Sequence, residues 1–152
     1  MESLEICSYL RPERVLYLDS ADKKQAMEQL LELLCRDDSI LDPQKVRQAI
    51  WDREKSMSTG IGEGIAIPHA RSKAVTDFVV AFALVKNGLD FEAIDGKPVK
   101  VIFMIVANDT QDKKYVRLLS RLMLRMKNTE LIDQLLNCRD ASELYRVLVE
   151  SK

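Results

Sequence analysis

The chain carries one histidine, His69, at the end of the stretch "STGIGEGIAIPHARSK", residues 58–73. With an unperturbed pKa of ~6.5, an imidazole is largely neutral near pH 7 and can serve as nucleophile, metal ligand or proton carrier. Its neighbours must select among these roles. A metal site is poorly supported, because there is no second histidine and no Asp, Glu or Cys at ligand spacing around His69. The G-x-S-x-G elbow of a serine hydrolase is absent. Phosphoryl chemistry fits better. Gly60, Gly62 and Gly64 can bring backbone N–H groups close to anionic oxygens, and Ser58 and Thr59 add hydroxyl donors. Such a site still requires a fixed positive charge.

Arg53 is the first candidate for that charge. Val46, Ala49, Ile50 and Arg53 stand at i, i+3, i+4 and i+7, one face of a helix, whereas Arg47 and Glu54 fall on another. An arginine that shares a direction with core residues needs an anionic partner or a route to water. Arg71, two residues beyond the histidine, is the second candidate. Each feature also has a plainer reading. A lone histidine after proline is more often structural, alternating glycines can form a simple bulged turn, and Arg53 could snorkel. The functional reading rests on their coincidence.

The surrounding elements must hold these groups in place. "RVLYLD" (residues 14–19) reads as a strand, and "KKQAMEQLLELLCR" as a helix with Ala26, Leu30, Leu33 and Leu34 inward. Asp42 and Pro43 open the next helix as N-cap and first residue. "GIAIPHA" reads as a short strand running into His69. Two predominantly apolar runs, 78–86 and 99–107, imply strands covered on both faces, with turns expected at Asn87-Gly88 and Asp95-Gly96. Three helices follow, over 112–127, from Asn128 or Thr129, and from Asp140 with Glu143 completing a capping box. The expected fold is α/β, a three-layer α/β/α sandwich with a mixed sheet, formed by one domain over 1–152.

Composition narrows the class. Basic and acidic residues number 23 and 24, which argues against nucleic acid or a polybasic membrane contact. No apolar run approaches the ~20 residues of a membrane span, and no leader pattern opens the chain. Cys7, Cys35 and Cys138 are far apart and odd in number, as expected of reduced thiols. A cytoplasmic protein is expected.

Glu54, six residues, Ile61-Gly62, two residues, then Ile65-Ala66-Ile67-Pro68-His69-Ala70 resembles the active-site signature of type-2 IIA domains of the bacterial phosphoenolpyruvate:sugar phosphotransferase system. The resemblance continues through "DFEAIDGKPV" (90–99) and "RLLSRL" (117–122) and covers nearly the whole chain. It implies a mixed sheet between helical layers and a phosphotransferase role as a phosphohistidine carrier, with no metal or organic cofactor. His69 would accept a phosphoryl group from an HPr-type phosphohistidine and Arg53 would help hold it. Many relatives carry a second histidine in a His-Leu pair, which is Tyr115-Val116 here. Tyrosine offers no positive charge at neutral pH, and Lys114 or Lys113 is the candidate replacement, while Tyr115 also fits a core stripe with Leu118, Leu119, Leu122 and Met126. The opening "YLRPERVLYLD" resembles the nitrogen-regulatory branch, whose members bind partner proteins such as a transporter or kinase according to phosphorylation. The alternatives are a fructose- or mannitol-type IIA that feeds a IIB domain, and a non-catalytic IIA-like binding module.

Overall fold

The computed structural model describes residues 5–150. A 3₁₀ turn over Glu5–Tyr9 leads into β1 (Leu10–Leu18), followed by α1 (Lys23–Leu34) and α2 (Pro43–Ser56). Three short strands come next, β2 (Gly60–Gly62), β3 (Ile65–Ala66) and β4 (His69–Arg71), then the long strands β5 (Val79–Leu89) and β6 (Val99–Ala107). The chain finishes with α3 (Asp112–Arg125), α4 (Thr129–Leu136) and α5 (Ala141–Glu150).

The helix starts follow from local chemistry. Asp42 accepts from the Gln44 and Lys45 N–H groups ahead of Pro43, and Asn128 accepts from Leu131. Only half of the capping box expected at Asp140 forms: Asp140 accepts from the Glu143 N–H, but the Glu143 carboxylate reaches past Asp140 to the Arg139 N–H.

The sheet order is β1-β5-β6-β3-β2, with β4 also paired to β6. β1 runs parallel to β5, β5 antiparallel to β6, and β3 and β4 both parallel to β6, so the sheet is mixed. β3 and β4 are one strand interrupted at Ile67-Pro68, where proline supplies no N–H for the ladder. Val80, Phe82 and Leu84 pack with the α3, α4 and α5 side chains, and Val79, Ala81, Ala83 and Val85 pack with those of α1 and α2. This alternation buries both faces of β5 and gives the three-layer α/β/α architecture. Asn87-Gly88 does not form the expected turn. The strand continues through Gly88, whose φ of 73° goes with a register shift, to Leu89 opposite Val99. The expected turn at Asp95-Gly96 does form, with the Gly96 N–H on the Ala93 carbonyl. Among the described residues no helix is long and apolar enough to cross a membrane.

Candidate functional site

His69 stands at the start of β4, opposite Ile105 of β6, near the carboxyl ends of these parallel strands. Both helical layers reach this edge. A cleft of about 520 Å³ opens there, lined by Ala49 and Arg53 of α2, His69 and Arg71 of β4, and Asp112 and Tyr115 of α3. Asp109, in the loop after β6, completes it.

The imidazole is half-buried, and its Nδ1 lies 2.6 Å from the Ile67 carbonyl oxygen. A carbonyl oxygen only accepts, so Nδ1 carries the proton and Nε2 keeps the lone pair in the neutral ring. Ile67 is itself fixed, its N–H on the Thr59 carbonyl at 3.0 Å, and the Pro68 carbonyl accepts from Ile105 at 2.9 Å. Burial pushes the His69 pKa below its ordinary value. The Ile67 contact opposes this, the Arg53 charge adds to it and the Glu54 charge opposes it. The ring is therefore neutral and nucleophilic at pH 7.

Arg53 is half-buried and donates to the Met57 carbonyl at 2.9 Å, with no carboxylate partner among the described residues. Its charge thus remains available to an anion in the cleft. Arg71 also lines the cleft, but it pairs with Asp112 and lies over the Tyr115 ring at 5.4 Å. Tyr115 is 7% exposed, with ring centroids 6.0 Å from His69 and 6.4 Å from Phe78. It is thus both a core residue and a wall of the site. Burial raises its pKa far above the ordinary tyrosine value, so the phenol is neutral at physiological pH. Lys114 is turned elsewhere: its ammonium bonds the Tyr9 hydroxyl and sits over the Tyr9 and Phe78 rings, and it does not line the cleft.

The expected phosphoryl cradle is not brought to His69. Ser58, Thr59, Gly60, Gly62 and Gly64 do not line the cleft, because β2 pairs with β3 and leads away from the histidine. Their groups are used internally. Ser58 Oγ donates to the Phe91 carbonyl and accepts from the Gly60 N–H. Gly60 packs so closely on Ala93 that an added Cβ would stand 2.7 Å from the Ala93 Cβ. The loop does bind an anion, but a resident one: Glu63 N–H donates to the Asp95 carboxylate at 3.0 Å.

Thr59 leads to the residue that sequence reasoning misplaced. The buried stripe of α2 is Val46, Ile50 and Glu54, not the face carrying Ala49 and Arg53. Glu54 is 5% exposed. Its carboxylate accepts from Thr59 Oγ1 at 2.6 Å, from the Thr59 N–H at 3.1 Å and from Lys23 Nζ at 2.8 Å. The i, i+4, i+8 spacing of Val46, Ile50 and Glu54 was the signal for it. Among the described residues no three His, Cys, Asp or Glu side chains converge as a metal site would require.

Residues 8–151 match the family described as "Phosphoenolpyruvate-dependent sugar phosphotransferase system, EIIA 2". The chain is 34% identical over 133 residues to the PTS system fructose-specific EIIABC component of Bacillus subtilis, covering 88% of this chain and 21% of that protein, so it spans about a fifth of that relative. It is 30% identical over 142 residues to the nitrogen regulatory protein of Pseudomonas aeruginosa, covering 93% and 92% of the two chains. Among solved structures, the nitrogen regulatory protein IIA-Ntr of Neisseria meningitidis superimposes with a TM-score of 0.85 at 30% identity, over 94% of this chain and 98% of that one.

Proposed function

Since the chain belongs to the EIIA 2 family of the phosphoenolpyruvate-dependent sugar phosphotransferase system, we propose that His69 is its phosphoryl acceptor and Arg53 the cation that holds the incoming group. The observation that carries this is the Nδ1 contact with the Ile67 carbonyl, which leaves Nε2 as the nucleophile in a cleft with an unpaired guanidinium. In the transfer, Nε2 attacks phosphorus and the N–P bond of an HPr-type phosphohistidine breaks, its electron pair staying on the donor nitrogen. The ring gains positive character as the Nε2–P bond forms, and the Ile67 carbonyl stabilises it through Nδ1–H. Donor and acceptor are both phosphorylated nitrogens of similar energy, so the task is alignment and charge neutralisation. Arg71 contributes once it leaves Asp112, and the Tyr115 hydroxyl can donate one hydrogen bond to a phosphoryl oxygen.

The likeness in both sequence and backbone to nitrogen regulatory proteins supports a regulatory carrier whose partner binding depends on phosphorylation. Incubation with phosphoenolpyruvate, the first-stage kinase and an HPr-type donor tests the core of the reading. Acid-labile label on the wild type, none on His69→Ala, and labelling slowed about 10- to 100-fold in Arg53→Ala at nearly unchanged stability are expected. Label on His69→Ala, or none on the folded wild type, would overturn it.

A further inference from the structure

A second cleft, of about 890 Å³, lies between α1 and α2 and shares no lining residue with the His69 cleft. Its volume falls in the range of roughly 300–1,000 Å³ common to small-molecule sites. From α2 it takes Gln44, Gln48, Trp51 and Lys55, at i, i+4, i+7 and i+11 on one helical face.

The charges in this cleft do not cancel. It is lined by four cations and three carboxylates, an excess of one positive charge. The carboxylates are already engaged. Glu54 and Glu92 face Lys23 at 2.8 and 3.6 Å, and Glu28 pairs with Arg47. Lys24 and Lys55 have no ion pair or hydrogen bond among the described residues. Two unpaired ammonium groups therefore face one cavity, which favours an anion.

The rest of the lining is unlike a bare phosphate site. Trp51 is half-buried, and its indole Nε1 donates to Glu28 at 2.9 Å. Because Arg47 clamps the same carboxylate, the indole is held in one orientation before any ligand arrives. A fixed aromatic wall of this kind suits a planar ring. Gln48 spends its NH₂ on Asp52 at 2.7 Å and keeps its carbonyl as an acceptor, and Gln44 is free to donate or accept. Two amides beside an indole complement the polar edge of a heterocycle, and two free lysines complement a phosphate. A simple inorganic anion would leave the indole and the amides unused.

We propose that the α1–α2 cleft binds a phosphorylated heterocycle of the mononucleotide class, with Lys24 and Lys55 on the phosphate and Trp51 against the ring. This site does not depend on the chemistry assigned to His69. Trp51 is the only tryptophan of the chain, so its fluorescence reports occupancy directly. The probes are AMP, adenosine and inorganic phosphate, titrated separately into the full-length protein. A saturable change with AMP is expected, with adenosine and phosphate each at least about tenfold weaker. Lys24→Ala/Lys55→Ala should weaken AMP by about tenfold or more, because both phosphate contacts are lost. His69→Ala should bind AMP as the wild type does. The proposal is overturned by the absence of a saturable AMP signal, by unchanged AMP affinity in the double lysine variant, or by loss of binding in His69→Ala. Calorimetry of Trp51→Phe, whose smaller ring should weaken AMP, separates a contact from a mere fluorescence effect. Unchanged affinity there would also refute the stacking role.

Discussion

Replacing Glu54 by glutamine keeps the shape of the side chain and removes its charge. In the wild type, one carboxylate oxygen accepts from Lys23 at 2.8 Å and from the Thr59 N–H at 3.1 Å, and the other accepts from Thr59 Oγ1 at 2.6 Å. Every partner is a donor in this arrangement. A glutamine can keep its carbonyl oxygen on Lys23 and the Thr59 N–H, and its NH₂ can then face Thr59 Oγ1. That hydroxyl accepts only by giving up its own donation, so the main loss is the negative charge that balances Lys23. Breaking one side of a fully buried ion pair costs about 3–5 kcal/mol. The Lys23 side chain is 16% exposed and has Glu92 at 3.6 Å, so part of its charge is relieved, and the lower figure of about 2–3 kcal/mol applies. For a chain of this size that is a fall in Tm of roughly 4–12 °C. Urea denaturation gives the free energy directly. Lys23→Met in the Glu54→Gln background should recover part of the loss, because it removes the unpaired cation. The same substitution should also free the Thr59 carbonyl that seats Ile67, and slow phosphorylation of His69. A stability loss below about 0.5 kcal/mol, or a double variant worse than the sum of the singles, would refute the view that Glu54 is a buried strut.

Three further outcomes are expected. The His69 pKa is lowered on folding, first by burial, so the unfolded chain binds more protons in the window between the folded value and ~6.5. Stability therefore rises with pH through that window, is complete above it and falls on acidification, and His69→Gln should flatten this part of a urea-midpoint series between about pH 5 and pH 8. Gly60→Ala places a Cβ 2.9 Å from the Ala93 Cα and should cost about 1–3 kcal/mol in chemical denaturation, because backbone must move to accommodate it. Tyr115→His should speed labelling of His69 by restoring a second imidazole, and an unchanged or slower rate would leave Tyr115 with a packing role alone.

The elements and much of their order are local properties, and the sequence determined them. Asp42-Pro43 and Asn128 announce helix starts through side-chain oxygens one turn away. The apolar runs of β5 and β6 require cover on both sides, which already implies three layers. The unusual histidine and the need for a cation pointed to His69 and Arg53, and these two do share a cleft. The tertiary structure decided what each polar group faces. The glycine loop offered N–H groups to an anion, and only the fold showed that Asp95, 32 residues away from Glu63, supplies that anion. Arg71 looked free until Asp112, 41 residues on, came beside it. Glu54 was assigned to the wrong face because an acidic residue contradicts a core stripe unless its partner is known, and Lys23 comes from a different helix. Periodicity and capping act over one or two turns and can be read from neighbours. The pairing of a buried charge is settled by whichever distant groups the packing of layers brings within about 3 Å of it.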